Sequence, residues 1–575
     1  MFSLSGGKSM HPDAATPVCA PLRLEDPDAH PWHAVCDAVV VGFGAAGACA
    51  ALEAAQGGAR VIVAERFEGG GASAKSGGVV YAGGGTPYQS AAGYADTPQA
   101  MADYLRQETG EVVSEATLQA FCERSRDMIG WLEGVGVRFA ATVPPRKTSY
   151  PAQPYYLYYS GNEAVPAYAR HAAPAPRGHR VKGPGMSGRT LYGVLRGAVQ
   201  ARPEVTVMRQ TAARRLIVDH AGAVIGVELW QVPPGRQQKR HARLARMAER
   251  LHNALPGVAD QLRQRVLQLE LRHARPVAVR TRAVVLATGG FIFNRAMVAS
   301  HAGKYLQNWR LGATGCDGSG IRLGESAGAA TRHLERVSAW RFINPPFDWA
   351  RGCVVDAQGA RIGNEETYGA TLGHAICERH GGRAWLILNR ALARAALREC
   401  LGGRLWAFQA LPAALLLLGG ARRASSLEAL ADKLGMPRAA LRATIDLYNA
   451  AARGEIADPA GKSAQMCASL ETGPWLAIDI SANSRVFPCP AITLGGLSVE
   501  ESSGRVLAAA GGAPIPGLYA VGRTAVGIAS NHYVSGLSLA DCIWSGRNAG
   551  RHLIRQPAGE RQANHHQETT HEPTY

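Results

Sequence analysis

Asp37–Val41 and Arg60–Ala64 are short apolar runs, and an alanine-rich stretch separates them. Apolar runs this short and unbroken predict parallel strands buried on both faces. The stretch between them reads as a helix stopped at Gly57-Gly58. Farther along, Val205–Val207, Leu216–Asp219 and Val224–Leu229 read as short strands with a turn at Gly222, and Val277–Gly290 as another strand. Between the last two, Gly235–Arg275 changes to a helical period. Leu244, Met247, Leu251 and Leu255 keep that spacing, and Leu262, Val266 and Leu269 resume it after Pro256-Gly257. Two β segments broken by a helical pair predict a hairpin-like sheet with an insertion at its tip.

Arg332–Pro474 has a different texture. It carries a helix pair, with Ser425 or Ser426 as a cap and Pro437 near the start of the second helix. It also holds the longest apolar run, Ala410–Gly420, which is too short to span a bilayer. Strand-and-turn patterning returns from Ile492 onward. Residues 1–35 and 556–575 read as flexible ends.

Composition changes this picture at three points. The 11 cysteines are scattered without a Cys-x-x-Cys pair, so a disulfide framework or a metal module is not expected and a reducing cytosol fits. The first 33 residues contain no apolar stretch of signal-peptide length. The net charge of +17 is concentrated, because Gly235–Arg275 holds ten basic residues against three acidic ones. No aromatic platform is interleaved there, which sets aside nucleic acid. Two readings of the insert remain: a solvated helical hairpin packed on the body, or a basic face in peripheral contact with a membrane.

The candidate chemistry starts at Gly42-x-Gly44-x-x-Gly47, which follows a strand and opens a helix. Gly42 permits the tight turn, Gly44 lets the backbone approach a pyrophosphate, and Gly47 lets helix and strand pack closely. The helix start offers free N–H groups to phosphate. Glu65, at the end of the next strand, can accept from ribose hydroxyls. A second cluster, Arg66–Gly85, is rich in glycine and serine. A nicotinamide site does not need it, whereas a flavin site can use it along the rest of the dinucleotide. Ala287–Gly290, Thr314–Gly320 and Gly517–Arg523 add further glycine turns. The candidate cofactor set is Gly42, Gly44, Ala45, Ala46, Gly47, Glu65, Arg66, Ser73, Ser76, Gly77, Gly78, Val79, Ala213, Ala287, Thr288, Gly289, Gly290, Asp317, Gly522, Arg523, Ser538 and Leu539.

With these motifs the chain resembles the flavoprotein family of fumarate reductases, succinate dehydrogenases and 3-ketosteroid dehydrogenases, from about Asp37 to about Arg551. The resemblance implies an α/β fold. A Rossmann-like FAD-binding domain, split in sequence into 36–331 and 475–555, would carry an α+β capping domain at 332–474. No histidine stands between His33 and His171, so FAD is expected to be non-covalent. Asn364–Gly373 lacks the arginine, and Pro490–Gly496 the histidine, with which a dicarboxylate would be gripped. Tyr533-Val-Ser535-Gly536 is similar to the 3-ketosteroid Δ4-(5α)-dehydrogenases and departs from the Tyr-Pro-Gly motif of the Δ1 enzymes.

The resemblance implies catalytic roles for Tyr533, Ser535 and, more loosely, Tyr368, with Gly536 and Tyr533 holding the substrate ketone. The expected partners are a steroid and an undefined electron acceptor, with no nucleic acid, in the cytoplasm or peripherally on a membrane. The rival expectations are Δ1 chemistry, a flavin oxidoreductase on another apolar enone or ketone, and a flavin-containing membrane-surface binding protein.

Overall fold

A computed structural model describes residues 14–555. Its central sheet has six strands in the order Arg505–Leu507, Pro514–Ala520, Val284–Leu286, Ala38–Val41, Val61–Glu65 and Val205–Arg209. All neighbours are parallel except the first pair. Ala38–Val41 and Val61–Glu65 are buried throughout, as their unbroken apolar runs require. Helix Ala45–Gln56 lies between them in sequence and packs along the final helix, Leu537–Arg555. Four distant parts of the chain thus build one sheet, which is the split arrangement expected.

The predicted hairpin is present. Val224–Gln231 pairs antiparallel with both Thr211–Val218 and Arg275–Thr281. The helices Arg236–Leu251 and Pro256–His273 are inserted at its tip. Leu262, Val266 and Leu269 are buried as expected. The first helix instead buries His241, Ala242, Ala245 and Ala248, and Met247 and Leu255 are 39% and 53% exposed. Small side chains let this helix lie close to the body, and ion pairs hold it there.

Three expectations are corrected. The stretch Val277–Gly290 is two strands in different sheets, because the Thr281 hydroxyl donates to the Ala283 carbonyl (3.1 Å) and bends the chain between them. Residues 14–35 are not a flexible end: Leu22–Arg23 pairs with Ile217–Val218, and Ala34–Cys36 with Val279–Thr281. Residues 1–13 and 556–575 lie outside the described residues.

The third correction concerns the cap boundary. A four-stranded sheet orders Cys353–Val355, Trp385–Asn389, Trp475–Asp479 and Arg422–Ala424 over a separate core from Ile343 to Ile480. Trp475–Asp479 pairs with Trp385–Asn389, so the cap runs past 474. Within it, Ser426 caps helix Leu427–Leu434 by accepting from the Ala429 N–H (3.1 Å). Pro437 stands at the N-cap of Arg438–Ala452. Among the described residues no helix is long and apolar enough to cross a membrane.

Candidate active site

One cavity of about 1090 Å³ runs from the central sheet to the underside of the cap. Its sheet end is lined by Gly42, Gly44, Ala45, Ala46, Glu65, Arg66, Ser73, Ser76, Gly77 and Val79, with Ala213, Ala287, Thr288, Gly289, Arg523, Ser538 and Leu539. Gly42 sits at φ +106°, and a Cβ there would meet the Ala287 carbonyl oxygen at 2.6 Å. Glu65 fixes the turn, accepting from the N–H groups of Phe43 (2.9 Å) and Phe67 (2.8 Å), while burial pushes its carboxyl up. Gly47, Gly78, Gly290 and Gly522 stand behind the lining, pressed against neighbouring segments, and do not face the cavity.

Asp317 does not line the cavity. It accepts from the Thr16 N–H and hydroxyl (both 2.7 Å), from the Arg66 guanidinium (2.9 Å) and from the Ser319 N–H (3.0 Å). Arg66 does line it, and also donates to Glu270 of the insert (2.9 Å). The insert contributes lining of its own through Ala245, Arg246, Glu249 and Asn253.

The donor set fits a flavin dinucleotide. The first turn of helix Ala45–Gln56 holds no acidic residue and opens into the cavity, so its amide dipoles face a phosphate-bearing ligand without competition. One guanidinium nitrogen of Arg523, Nη1, is buried without a partner at the same wall, which leaves a donor for the ligand. The final helix begins against the cavity, with Ser538 and Leu539 of its first turn in the lining.

The cap end is lined mainly by Trp340, Phe342, Phe408, Leu411, Phe487 and Ile492. Here the structure brings hydroxyls together. The Ser535 hydroxyl lies 3.3 Å from that of Tyr158, and its backbone N–H donates to Ser160 (3.0 Å). Gly536, at φ +89°, turns the chain so tightly that a Cβ would meet the Tyr81 N at 2.8 Å. Its N–H stands beside the Tyr533 hydroxyl. The Tyr533 ring stacks on Trp340 with centroids 4.7 Å apart. Tyr368 starts helix Gly369–Arg379 and packs edge-on against Phe342 at 5.1 Å. It lies just outside the lining, its hydroxyl buried without a hydrogen bond of normal geometry yet close to those of Ser535 and Tyr150.

Tyr150, which like Tyr158 the sequence reading did not single out, is the fifth member of this group. Its hydroxyl faces Ser535, Tyr368 and Tyr533, and it lines the cavity. It has φ +52°, an uncommon value for a side-chain-bearing residue and more so before a proline. Such strain persists only where the surroundings impose it. Burial drives the hydroxyls of Tyr150, Tyr368 and Tyr533 above the ordinary tyrosine value, so all three are neutral donors at neutral pH.

This split sheet, glycine turn and capped cavity define a flavin-dependent oxidoreductase fold. The sequence pattern of the FAD binding domain family matches residues 37–539, and the chain belongs to that family. It is 42% identical to the 3-oxo-5-alpha-steroid 4-dehydrogenase of Comamonas testosteroni over 89% of this chain and 97% of that one. It is 27% identical to the 3-oxosteroid 1-dehydrogenase of Mycobacterium tuberculosis over 91% and 99%. The crystal structure of the 3-ketosteroid-Δ4-(5α)-dehydrogenase from Rhodococcus jostii, in complex with 4-androstene-3,17-dione, superposes with a TM-score of 0.78 at 28% identity. That match covers 94% of this chain and all of the other.

Proposed function

We propose that the chain oxidises a 3-ketosteroid saturated between carbons 4 and 5. A proton leaves carbon 4, a hydride leaves carbon 5, and a 4-ene-3-ketosteroid results. FAD, held by the glycine turn, Glu65, Arg523 and the final helix, would supply the hydride acceptor. The observation that carries the reading is the meeting of five neutral hydroxyls at the apolar end of the flavin cavity, with those of Tyr150, Tyr533 and Ser535 in its lining and those of Tyr158 and Tyr368 just behind it.

Proton loss beside a ketone is feasible only if negative charge on the ketone oxygen is stabilised. The Tyr533 hydroxyl and the Gly536 N–H lie beside each other and would be the donors for that oxygen. Serine is a weak base and a buried tyrosine resists ionising, so neither holds the carbon 4 proton alone. Ser535 takes it as its own hydroxyl proton passes to Tyr368 and on through Tyr150 to water at the cavity mouth, which Tyr150 borders. The helical insert closes the nucleotide end of the cavity, and its outward arginines stay solvated.

Anaerobic titration of the purified flavoprotein tests the reading. Bleaching of the flavin by 5α-androstane-3,17-dione supports it. Bleaching only by a 4-ene-3-ketosteroid would assign Δ1 chemistry instead, and a yellow protein bleached by neither would remove the steroid reading.

A further inference from the structure

The apolar run Ala410–Gly420 is the least expected part of the surface. It belongs to helix Ala407–Leu415 and the wider turn Leu416–Gly420 that continues it. Ala413, Leu416 and Leu417 face inward and are buried in the cap core. Phe408, Leu411, Leu415 and Leu418 face outward and are 54–62% exposed, and Leu401, at the end of the preceding helix, is 72% exposed. Contiguous exposed apolar side chains at helical spacing mark a docking surface.

The charge around this face is one-sided. Residues 390–423 hold six arginines, Arg390, Arg394, Arg398, Arg404, Arg422 and Arg423, and all six are exposed. The one acidic residue in that stretch, Glu399, turns inward to accept the Phe347 N–H (2.8 Å). A second copy of the chain would bring arginines against arginines. An anionic lipid surface complements both features, with acyl chains for the apolar side chains and headgroups for the arginines.

The same helix forms a lip of the cavity, through Phe408, Gln409, Leu411 and Pro412. It is also bonded to the strained loop that carries Tyr150. The Trp406 indole N–H donates to the Tyr150 carbonyl (3.1 Å), and the Gln409 amide donates to Ser149 (3.0 Å).

We infer that Phe408, Leu411, Leu415 and Leu418, with the flanking arginines, dock the protein on an anionic bilayer, and that an apolar substrate passes from the bilayer into the cavity over this lip. The second half of the inference rests on the steroid reading. The docking does not, so flotation without any steroid separates the two.

The FAD-loaded full chain is floated with phosphatidylcholine vesicles, with and without phosphatidylglycerol. Wild type should float with the anionic vesicles only, and high salt should release it. Leu415→Gln/Leu418→Gln, which leaves the cavity lining intact, should bind at least about tenfold more weakly, retain its flavin and turn over detergent-dissolved steroid at the wild-type rate. Arg404→Gln/Arg422→Gln should weaken binding as well.

Wild type that stays at the bottom of the gradient overturns the proposal, as does a leucine variant that floats equally well. A dimer by light scattering that the leucine variant breaks would make the face an interface between copies and would equally overturn it. So would binding that only Arg236→Gln/Arg240→Gln/Arg243→Gln, on the insert, abolishes.

Discussion

Replacing Tyr533 by Phe tests the two-donor arrangement most directly. The substitution removes one hydroxyl and keeps the ring, so the stack on Trp340 at 4.7 Å persists and the apolar wall keeps its shape. Tyr533 as a whole is half-buried, and losing one hydroxyl should change stability by about 1 kcal/mol. The kinetic effect should be much larger. Charge grows on the ketone oxygen only as the carbon 4 proton leaves, so the hydroxyl matters most at the barrier. Loss of one preorganised donor to a developing oxyanion lowers the rate about 100- to 1000-fold, equivalent to about 2.7–4 kcal/mol. Gly536 keeps its N–H in the variant, so a residual rate should survive. The assay is anaerobic rapid mixing at saturating steroid, following flavin bleaching, with flavin content measured after gel filtration. Full flavin retention with bleaching slowed about 100-fold or more is the expected result. A rate within threefold of wild type would remove Tyr533 from the chemistry.

Three other outcomes are expected. Tyr150→Phe should bind FAD and steroid normally but slow bleaching about 10- to 100-fold, within the usual range for a lost proton-transfer partner, and reduce the solvent isotope effect; an unchanged isotope effect would leave Tyr150 a packing residue. Gly42→Ala must adopt φ +106° and push on the Ala287 carbonyl, costing about 2–5 kcal/mol in strain and overlap, so the protein should purify without flavin and melt earlier. Asp541 is buried, and burial raises its carboxyl from 3.8 to about 7. Between those values the folded chain keeps a proton that the unfolded chain has released, so stability falls as pH rises from about 4 to 7. Asp541→Asn should remove that slope, worth on the order of 4 kcal/mol across the window, as read from denaturant midpoints against pH.

The features legible in the sequence were those fixed by neighbours along the chain. A buried parallel strand needs an unbroken apolar run, and a tight turn before a helix needs glycine, so Ala38–Val41, Gly42 and helix Ala45–Gln56 could be read locally. The hairpin with its helical insertion was legible for the same reason, since its period changes at Gly235 and changes back near Arg275. Tyr150 was not legible. Ser-Tyr-Pro is an ordinary loop sequence, and its hydroxyl reaches Ser535 only through contacts made hundreds of residues away. Asp317 misled in the opposite direction. An acid in a glycine-rich loop resembles a cofactor ligand, but Thr16, 301 residues earlier, and Arg66 take its oxygens. The apolar run Ala410–Gly420 was visible in the sequence, yet an unbroken run could not say which face the cap core would leave uncovered.

The insert shows how a net charge can understate a surface. All three of its acidic residues point inward to the body. Glu270 accepts from Arg66 (2.9 Å) and bonds His241 (2.8 Å), Asp260 accepts from Arg310 (2.9 Å) and Arg263 (3.0 Å), and Glu249 accepts from Thr314 and pairs with Lys75. The outer face is therefore more positive than the difference of ten basic and three acidic residues indicates. Arg66, Arg310 and Lys75, the body cations held in this way, all line the flavin cavity. Ion pairs with little solvent around them fix geometry more reliably than they add stability, and losing one partner leaves the other charge uncompensated. Removing the whole insert would strand three cations at the nucleotide end of the site, and the flavin would leave whatever the insert does at a membrane. Replacing its outward arginines one group at a time keeps the inward acids in place, and only that experiment separates a role in closing the cavity from a role in binding lipid.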